Sequence, residues 1–156
     1  MLTIRNVRAN DADAVAHLLR DAFAHYRRFY TDAGYRATVI SADEITKRLN
    51  EGPVWIATAK DGAVGTVSGV TTADGLYIRS MAVAPVAQGK GVGIALMAHV
   101  EQYARETGVE KMYLSTAPFL RAAIRLYERC GFKRVNDGPR DLHGTPLETM
   151  VKTLEP

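Results

Sequence analysis

Cysteine is nearly absent: Cys130 stands alone in the 156 residues, so no internal disulfide can form and no cysteine-rich zinc site can be assembled. Four histidines, His17, His25, His99 and His143, lack the spacing of metal ligands, and no metal is expected. No apolar run approaches the roughly 20 residues that cross a bilayer. The opening Met1-Leu2-Thr3-Ile4-Arg5 alternates where a signal peptide would be continuously apolar. No membrane association and a cytoplasmic location are therefore expected. Excess charge is also small, with 20 Lys+Arg against 17 Asp+Glu and a net charge of +3. The basic residues are scattered rather than massed, so nucleic acid is not the expected partner. A polyanionic small ligand suits that mild excess equally well.

What is present describes one globular domain over residues 1–156, with 47% hydrophobic and 24% charged residues. Ile4 to Arg8 reads as a strand. Asn10 is placed to cap a helix carrying Val15, Leu18, Leu19, Ala22 and Phe23 at helical spacing, running to about Tyr26. Arg27 to Thr38 has no clear period and reads as an irregular connection, after which Ser41 and Glu44 form a capping-box pattern for a second helix. The period then changes. Val54 to Ala59 and Ala63 to Thr72 are strand-like around an Asp61-Gly62 hairpin signal, and Asp74-Gly75 leads into a third antiparallel strand, Leu76 to Val83. Gly65 and Gly69 inside the second of these hint at a bulge or a close backbone approach. Two further helices are expected, one from Val92 through Tyr103 closed by Gly108, the other over Phe119 to Cys130 closed by Gly131. Met112 to Ser115, Phe132 to Val135 and Leu147 to Leu154 complete the strands, with Asp141 and His143 in a Gly/Pro-rich loop.

The segment with chemical content is Val83-Ala84-Pro85-Val86-Ala87-Gln88-Gly89-Lys90-Gly91-Val92-Gly93-Ile94. A strand ends, Pro85 stops its ladder, and a glycine-rich turn opens a helix. Such a terminus presents unpaired N–H groups and a partial positive charge, which together bind phosphate. Without Cβ atoms, Gly89, Gly91 and Gly93 let a pyrophosphate approach the main chain, and the amides from Gln88 to Ile94 would be the ligands. A Walker-type loop requires Gly-Lys-Ser/Thr, whereas Gly89-Lys90 is followed by Gly91. A dinucleotide turn requires G-x-G-x-x-G and a different glycine spacing from that of Gly89, Gly91 and Gly93.

Gln88-Gly89-Lys90-Gly91-Val92-Gly93 resembles the Q/R-x-x-G-x-G/A signature of the GCN5-related N-acetyltransferase (GNAT) superfamily, and Leu126-Tyr127-Glu128-Arg129-Cys130-Gly131-Phe132 is similar to that family's downstream Leu-Tyr-x-x-x-Gly-Phe. With the opening strand and helix, the resemblance covers nearly the whole chain. It implies an α+β fold: a mixed, mostly antiparallel sheet of about six or seven strands, splayed between strands 4 and 5 and flanked by about four helices. It further implies acetyl-CoA as co-substrate. The pantetheine arm would lie in the splay against the backbones of Met81, Ala82 and Val83, with Ala123 also contacting the coenzyme.

By the same resemblance Tyr127 is the general acid toward the departing thiolate, although periodicity alone would make it a core residue beside Leu120, Ala123 and Ile124. Leu120 stands where many relatives carry a pantetheine-binding asparagine, and Tyr77 where some carry a glutamate. A base is thus left to distant groups such as Glu44, Asp141 or His143 acting through water. The acceptor side is expected to use Phe29, Tyr30, Tyr77, Arg79 and His143, with Tyr26 beside them. The implied activity is acetyl transfer to a primary amine, on a small molecule or a peptide, by direct attack in a ternary complex. The alternative is a non-catalytic acyl-CoA-binding sensor or interaction module. Oligomeric state stays open, a homodimer being the commonest assembly.

Overall fold

The computed structural model describes residues 1–60 and 62–155; Asp61, half of the hairpin signal, lies outside the described residues. A seven-stranded sheet forms the centre. In chain order its members are β1 (Thr3–Asn6), β2 (Val54–Ala59), β3 (Gly62–Thr72), β4 (Gly75–Val83), β5 (Lys111–Thr116), β6 (Lys133–Val135) and β9 (Glu148–Thr153). The strand order is β1-β2-β3-β4-β5-β9-β6. All neighbours are antiparallel except β4 and β5, which run parallel. A separate hairpin, β7 (Asp141–Leu142) with β8 (Thr145–Pro146), occupies the loop before β9.

Helices cover both faces, which is why Val54, Trp55, Ile56 and Ala57 of β2 are all buried rather than alternately so. One face carries α1 (Ala12–Phe23), which buries Val15, Leu18, Leu19 and Ala22, and α3 (Ala42–Arg48) packed beside it. The other carries α4 (Val92–Thr107), whose Tyr103 and His99 rings stand edge-on to Trp55 at 5.2 and 5.5 Å. Gly65 is where α4 approaches most closely: a Cβ there would lie 2.9 Å from both Leu96 Cδ1 and Val92 Cγ1. Gly108 closes α4 with a φ of +79°, and Gly131 follows α5 (Arg121–Arg129) with a φ of +98°.

Two expectations near the N-terminus are corrected. Asn10 does not cap α1; it sits in a short 3-10 turn, Ala9–Asp11, and Asp11 precedes the helix. The Asp11 carboxylate is held instead by Arg5, at 2.8 and 2.9 Å, and by the Arg8 amide at 2.8 Å. The stretch after α1 is also ordered. It tightens into a 3-10 helix, Ala24–Phe29, and then forms a fifth helix, α2 (Asp32–Thr38). Thr31 caps α2 by accepting from the Gly34 amide at 3.0 Å. Seven residues are too few to display a period, so only the cap and its distant partner, Thr145, reveal the helix. The Thr31 amide donates to Thr145 Oγ1 at 2.9 Å and the Thr31 hydroxyl to the His143 carbonyl at 2.8 Å, locking α2 to the β7–β8 hairpin.

Candidate acetyl-transfer site

The site begins where β4 and β5 part. Their register holds for Leu76↔Met112, Tyr77↔Tyr113 and Ile78↔Leu114 and then stops, so Arg79 to Val83 have no β5 partner. Next to the parting, β4 bulges: between the pairs Thr66↔Ala82 and Ser68↔Arg79, Val67 alone faces Ser80 and Met81. Ser80 adopts a φ of +57°, a left-handed conformation that costs a non-glycine residue energy. Beyond the bulge Ala84 donates to Val64 O at 2.8 Å. By strand alternation Ala82 also turns its main chain to β3, leaving the main-chain groups of Met81 and Val83 directed into the gap. Met81 and Val83 are thus separated from Ala82, whose peptide groups belong to the sheet.

The glycine-rich turn adjoins the gap. Gln88 ties it to the strand by donating from Nε2 to the Val83 carbonyl at 3.3 Å. Gly89 and Gly91 have φ of +77° and +84°, and a Cβ on either would meet nothing within 4 Å. Gly91 is the N-cap of α4 and has no side chain to satisfy the helix. Its carbonyl accepts from Ala95 at 3.0 Å, and the Val92, Gly93 and Ile94 amides of the first turn are left without intrahelical acceptors. Gly93 serves a different purpose from the other two. A Cβ there would lie 2.8 Å from Leu126 Cδ2 and 3.5 Å from Met81 Cε, so its bareness lets α4, α5 and β4 meet. Lys90 is exposed at the tip, and the Ile94 side chain is 43% exposed, on the flank of the helix. An open cradle beside an unpaired strand fits a long ligand that has a phosphate end and an amide-bearing arm.

Across the gap, α5 carries half-buried Ala123 and, one turn on, buried Tyr127. Burial pushes the Tyr127 hydroxyl well above the ordinary phenol range, and the neighbouring Tyr30 adds to it. Tyr30 is itself pushed up to about 12, chiefly by burial. Tyr30 belongs to an aromatic wall gathered on Phe119, which lies between β5 and α5. Its ring is 4.9 Å from Tyr30, 5.3 Å from Phe29 and 6.1 Å from Tyr26. Leu120, next to it, precedes α5 and offers no side-chain cap. Phe119 was not a candidate from the sequence, because nothing local marks a loop phenylalanine that three distant rings converge on.

The remaining expected acceptor residues divide. Tyr77 stacks on Tyr113 at 5.1 Å, and Arg79 forms an ion pair with Glu51. His143 sits at the tip of the β7–β8 hairpin with a φ of +50°; its side chain is exposed and its carbonyl is engaged by Thr31. The distant carboxylates have structural partners. Asp141 accepts from the Gly144 amide at 2.8 Å, and Glu44 pairs with Lys47 at 3.5 Å. Sequence reasoning missed Arg48, whose Nη1 donates to Ser80 Oγ at 2.5 Å and so reaches the bulge from α3.

Cys130 lies elsewhere, in a groove of about 730 Å³ along α4 with Met97, Glu101 and Lys152, and burial raises its thiol pKa. Among the described residues no group of three or more His, Cys, Asp or Glu is placed to hold a metal ion, and no helix is long and apolar enough to cross a membrane.

This arrangement defines an acyl-coenzyme A-dependent transferase fold, and the comparisons agree. The acetyltransferase (GNAT) family model matches residues 13–132, and the chain belongs to that family. It is 28% identical over 139 residues to the uncharacterized N-acetyltransferase YjgM of Escherichia coli, covering 85% of this chain and 83% of that one. It spans 44% or less of the length of the animal N-acetyltransferases it also matches. The crystal structure of the PaiA N-acetyltransferase of Thermoplasma acidophilum with coenzyme A has a TM-score of 0.81 at 16% identity, covering 99% of both chains. YncA of Salmonella typhimurium with acetyl-CoA has a TM-score of 0.76 at 23% identity, covering 100% of this chain and 95% of that one. The fold is the mixed, splayed α+β sheet that the resemblance implies, and the protein is an acyltransferase.

Proposed function

We propose that this acetyltransferase moves acetyl from acetyl-CoA to a primary amine by direct attack in a ternary complex. The observation that carries the reading is the parting of β4 from β5 beside the open Gly89–Gly91 turn. Acetyl-CoA supplies the activated thioester. The first-turn amides of α4 hold the pyrophosphate, helped by the partial positive charge of a 16-residue helix and by exposed Lys90 at the tip of the turn. The gap-facing main chain of Met81 and Val83 holds the arm as an added strand, and the Met81 amide polarises the thioester carbonyl. With its pKa raised, Tyr127 stays protonated across the working pH range; full proton transfer to a thiolate would be uphill, so it donates a hydrogen bond. Cys130 takes no part, because its thiol is held protonated in a groove between α4 and the end of α5.

The acceptor is a small-molecule or peptide amine lying between the aromatic wall and β4, near Phe29, Tyr30, Tyr77, Arg79 and His143. The protein works in the cytoplasm without a metal or nucleic acid, as a monomer or homodimer. The test is release of free thiol from acetyl-CoA with a broad amine panel. Tyr127→Phe should lower kcat by roughly a hundredfold and leave the KM for acetyl-CoA unchanged. Coenzyme binding with no thiol release on any acceptor would replace this reading by a non-catalytic acyl-CoA-binding module.

A further inference from the structure

Two arginines meet at the β4 bulge, and only one of them has a carboxylate bonded to it. Arg79 is paired with Glu51, yet its Nε is buried without a partner. Arg48 is half-buried, and among the described residues its guanidinium has only the neutral Ser80 hydroxyl as hydrogen-bond partner. Glu44, one of two acids in the first turn of α3, is exposed and pairs with Lys47, and it reaches Arg48 only through space. Glu51 and Glu44 both act on Arg48 through space, but neither carboxylate is hydrogen-bonded to it, so its guanidinium fork lacks a direct anionic partner. Burial comes first and Arg79 second among the causes that lower the Arg48 pKa, so the site penalises the very cation it holds. A half-buried guanidinium usually finds a carboxylate or phosphate matching its fork.

Position indicates what that anion belongs to. Register places the Arg79 side chain on the same sheet face as Ser68, and Ser68 and Ser80 line one small cavity with Arg48, on the face covered by α1 and α3. Tyr77, two residues before Arg79, shares that face and lies near enough to act electrostatically on Arg48. Ser80 is adjacent to Met81, whose main chain faces the gap assigned to the thioester. Arg48 is thus bonded to the residue next to gap-facing Met81, whose Cα lies about 3.8 Å from that of Ser80.

We infer that the acceptor is an amine carrying a carboxylate on a neighbouring carbon, an amino-acid-type substrate whose acid group is held by Arg48 and Arg79. This rests on the acetyl-transfer reading above. A carboxylate one or two carbons from the amine reaches from the gap toward the arginines and supplies the directly bonded anion that Arg48 lacks. The chemistry of transfer is unchanged. The amine nitrogen forms the new bond to the acetyl carbon, the carbon–sulfur bond breaks, the thiolate takes up a proton, and the nitrogen loses one to solvent.

The experiment compares α-amino acids with their carboxamides and decarboxylated amines in two measurements. One is thiol release from acetyl-CoA; the other is the shift in melting temperature of the protein with coenzyme A bound. Acids should be preferred over matched amides by roughly a hundredfold in kcat/KM and should alone raise the melting temperature. Arg48→Gln should lower the acid-to-amide ratio of kcat/KM by a similar factor while leaving the KM for acetyl-CoA unchanged. Arg79→Gln is the second variant should the first fail to fold. Amides or simple amines transferred as well as acids would overturn the inference and leave acetyl transfer standing, as would a variant that slows all acceptors equally, since that marks a latch between α3 and β4. Melting shifts by acids that depend on Arg48, with no thiol release from any acceptor, would retain the anion site and overturn the transfer reading. If acids neither bind nor react, the inference falls.

Discussion

Gly91 separates two reasons for a glycine that the turn combines. Its φ of +84° disfavours any residue with a Cβ, and the space beyond it is open for a phosphate. Alanine pays the conformational cost, about 1–2 kcal/mol for the left-handed region. Roughly 0.4–1 kcal/mol is returned by the stiffer unfolded chain. The net loss, about 1 kcal/mol, should lower the melting temperature by about 2–4 °C for a domain of this size. Asparagine tolerates the left-handed region and should melt within about 2 °C of the parent. It nevertheless projects a larger side chain into the same open space. If phosphate occupies that space, Gly91→Asn should weaken coenzyme A binding at least tenfold, or about 1.4 kcal/mol, despite near-parental stability. Calorimetric melts without coenzyme and titration calorimetry with it measure the two effects separately. An asparagine variant that binds coenzyme A with parental affinity would refute the cradle, because the glycine would then serve conformation alone.

Gly34→Ala tests the lock between α2 and the β7–β8 hairpin. Its Cβ would collide with Thr145 Oγ1 and lie 2.9 Å from the Leu142 carbonyl, so a loss of about 1–3 kcal/mol in urea unfolding is expected. The KM for the acceptor should rise while that for acetyl-CoA stays, because α2 supports the aromatic wall and not the glycine turn. Asp11 gives a pH dependence. Hydrogen bonds from the Arg5 guanidinium, then from the Arg8 amide, hold its pKa at about 2, below the ordinary carboxylate value near 3.9. A depressed folded pKa means that the stabilisation is complete above about pH 4 and is lost as pH falls toward 2. Urea midpoints measured from pH 5 to pH 2 should therefore decline less steeply for Asp11→Asn than for the parent; equal slopes would remove Asp11 from the acid response.

The strand, glycine turn and helix proposed to hold the coenzyme were legible as structure because their determinants are local. A β4 strand, Pro85, the spaced glycines from Gly89 to Gly93 and the apolar stripe of α4 lie within one continuous stretch. Each acts through main-chain conformation, which residue type reports directly. Even there, the pattern could not tell a glycine kept bare for a ligand from one kept bare for packing. Gly91 faces open space and Gly93 faces Leu126, yet both read alike as letters. Nor did Ser80 mark the bulge. Gly65 and Gly69 drew attention to β3, where Gly65 admits α4 closely and Val64 beside it is an extra residue against β2, whereas the bulge at the gap lies across from Val67 on β4.

The proposed acceptor side was less legible because its residues are neighbours only after folding. Thr31 and Thr145 are 114 positions apart, Arg48 and Ser80 are 32 apart, and Phe119 collects rings from the segment after α1. Burial was the available signal, and it pointed the wrong way. Arg48 lies in the last turn of a helix with Lys47, where a basic residue needs no explanation beyond the helix dipole. Only its missing carboxylate partner sets it apart, and a missing partner cannot be read from a string. The same asymmetry explains how one fold serves many acceptors. On the proposed reading, main-chain groups that hold the coenzyme constrain a few glycines, while side chains that choose the acceptor are free to change wherever the fold brings them together. Specificity in this protein should therefore move with Arg48, Arg79 and the rings around Phe119, and coenzyme affinity with Gly89 and Gly91. A substitution that shifted both together would show that the two halves are not independent.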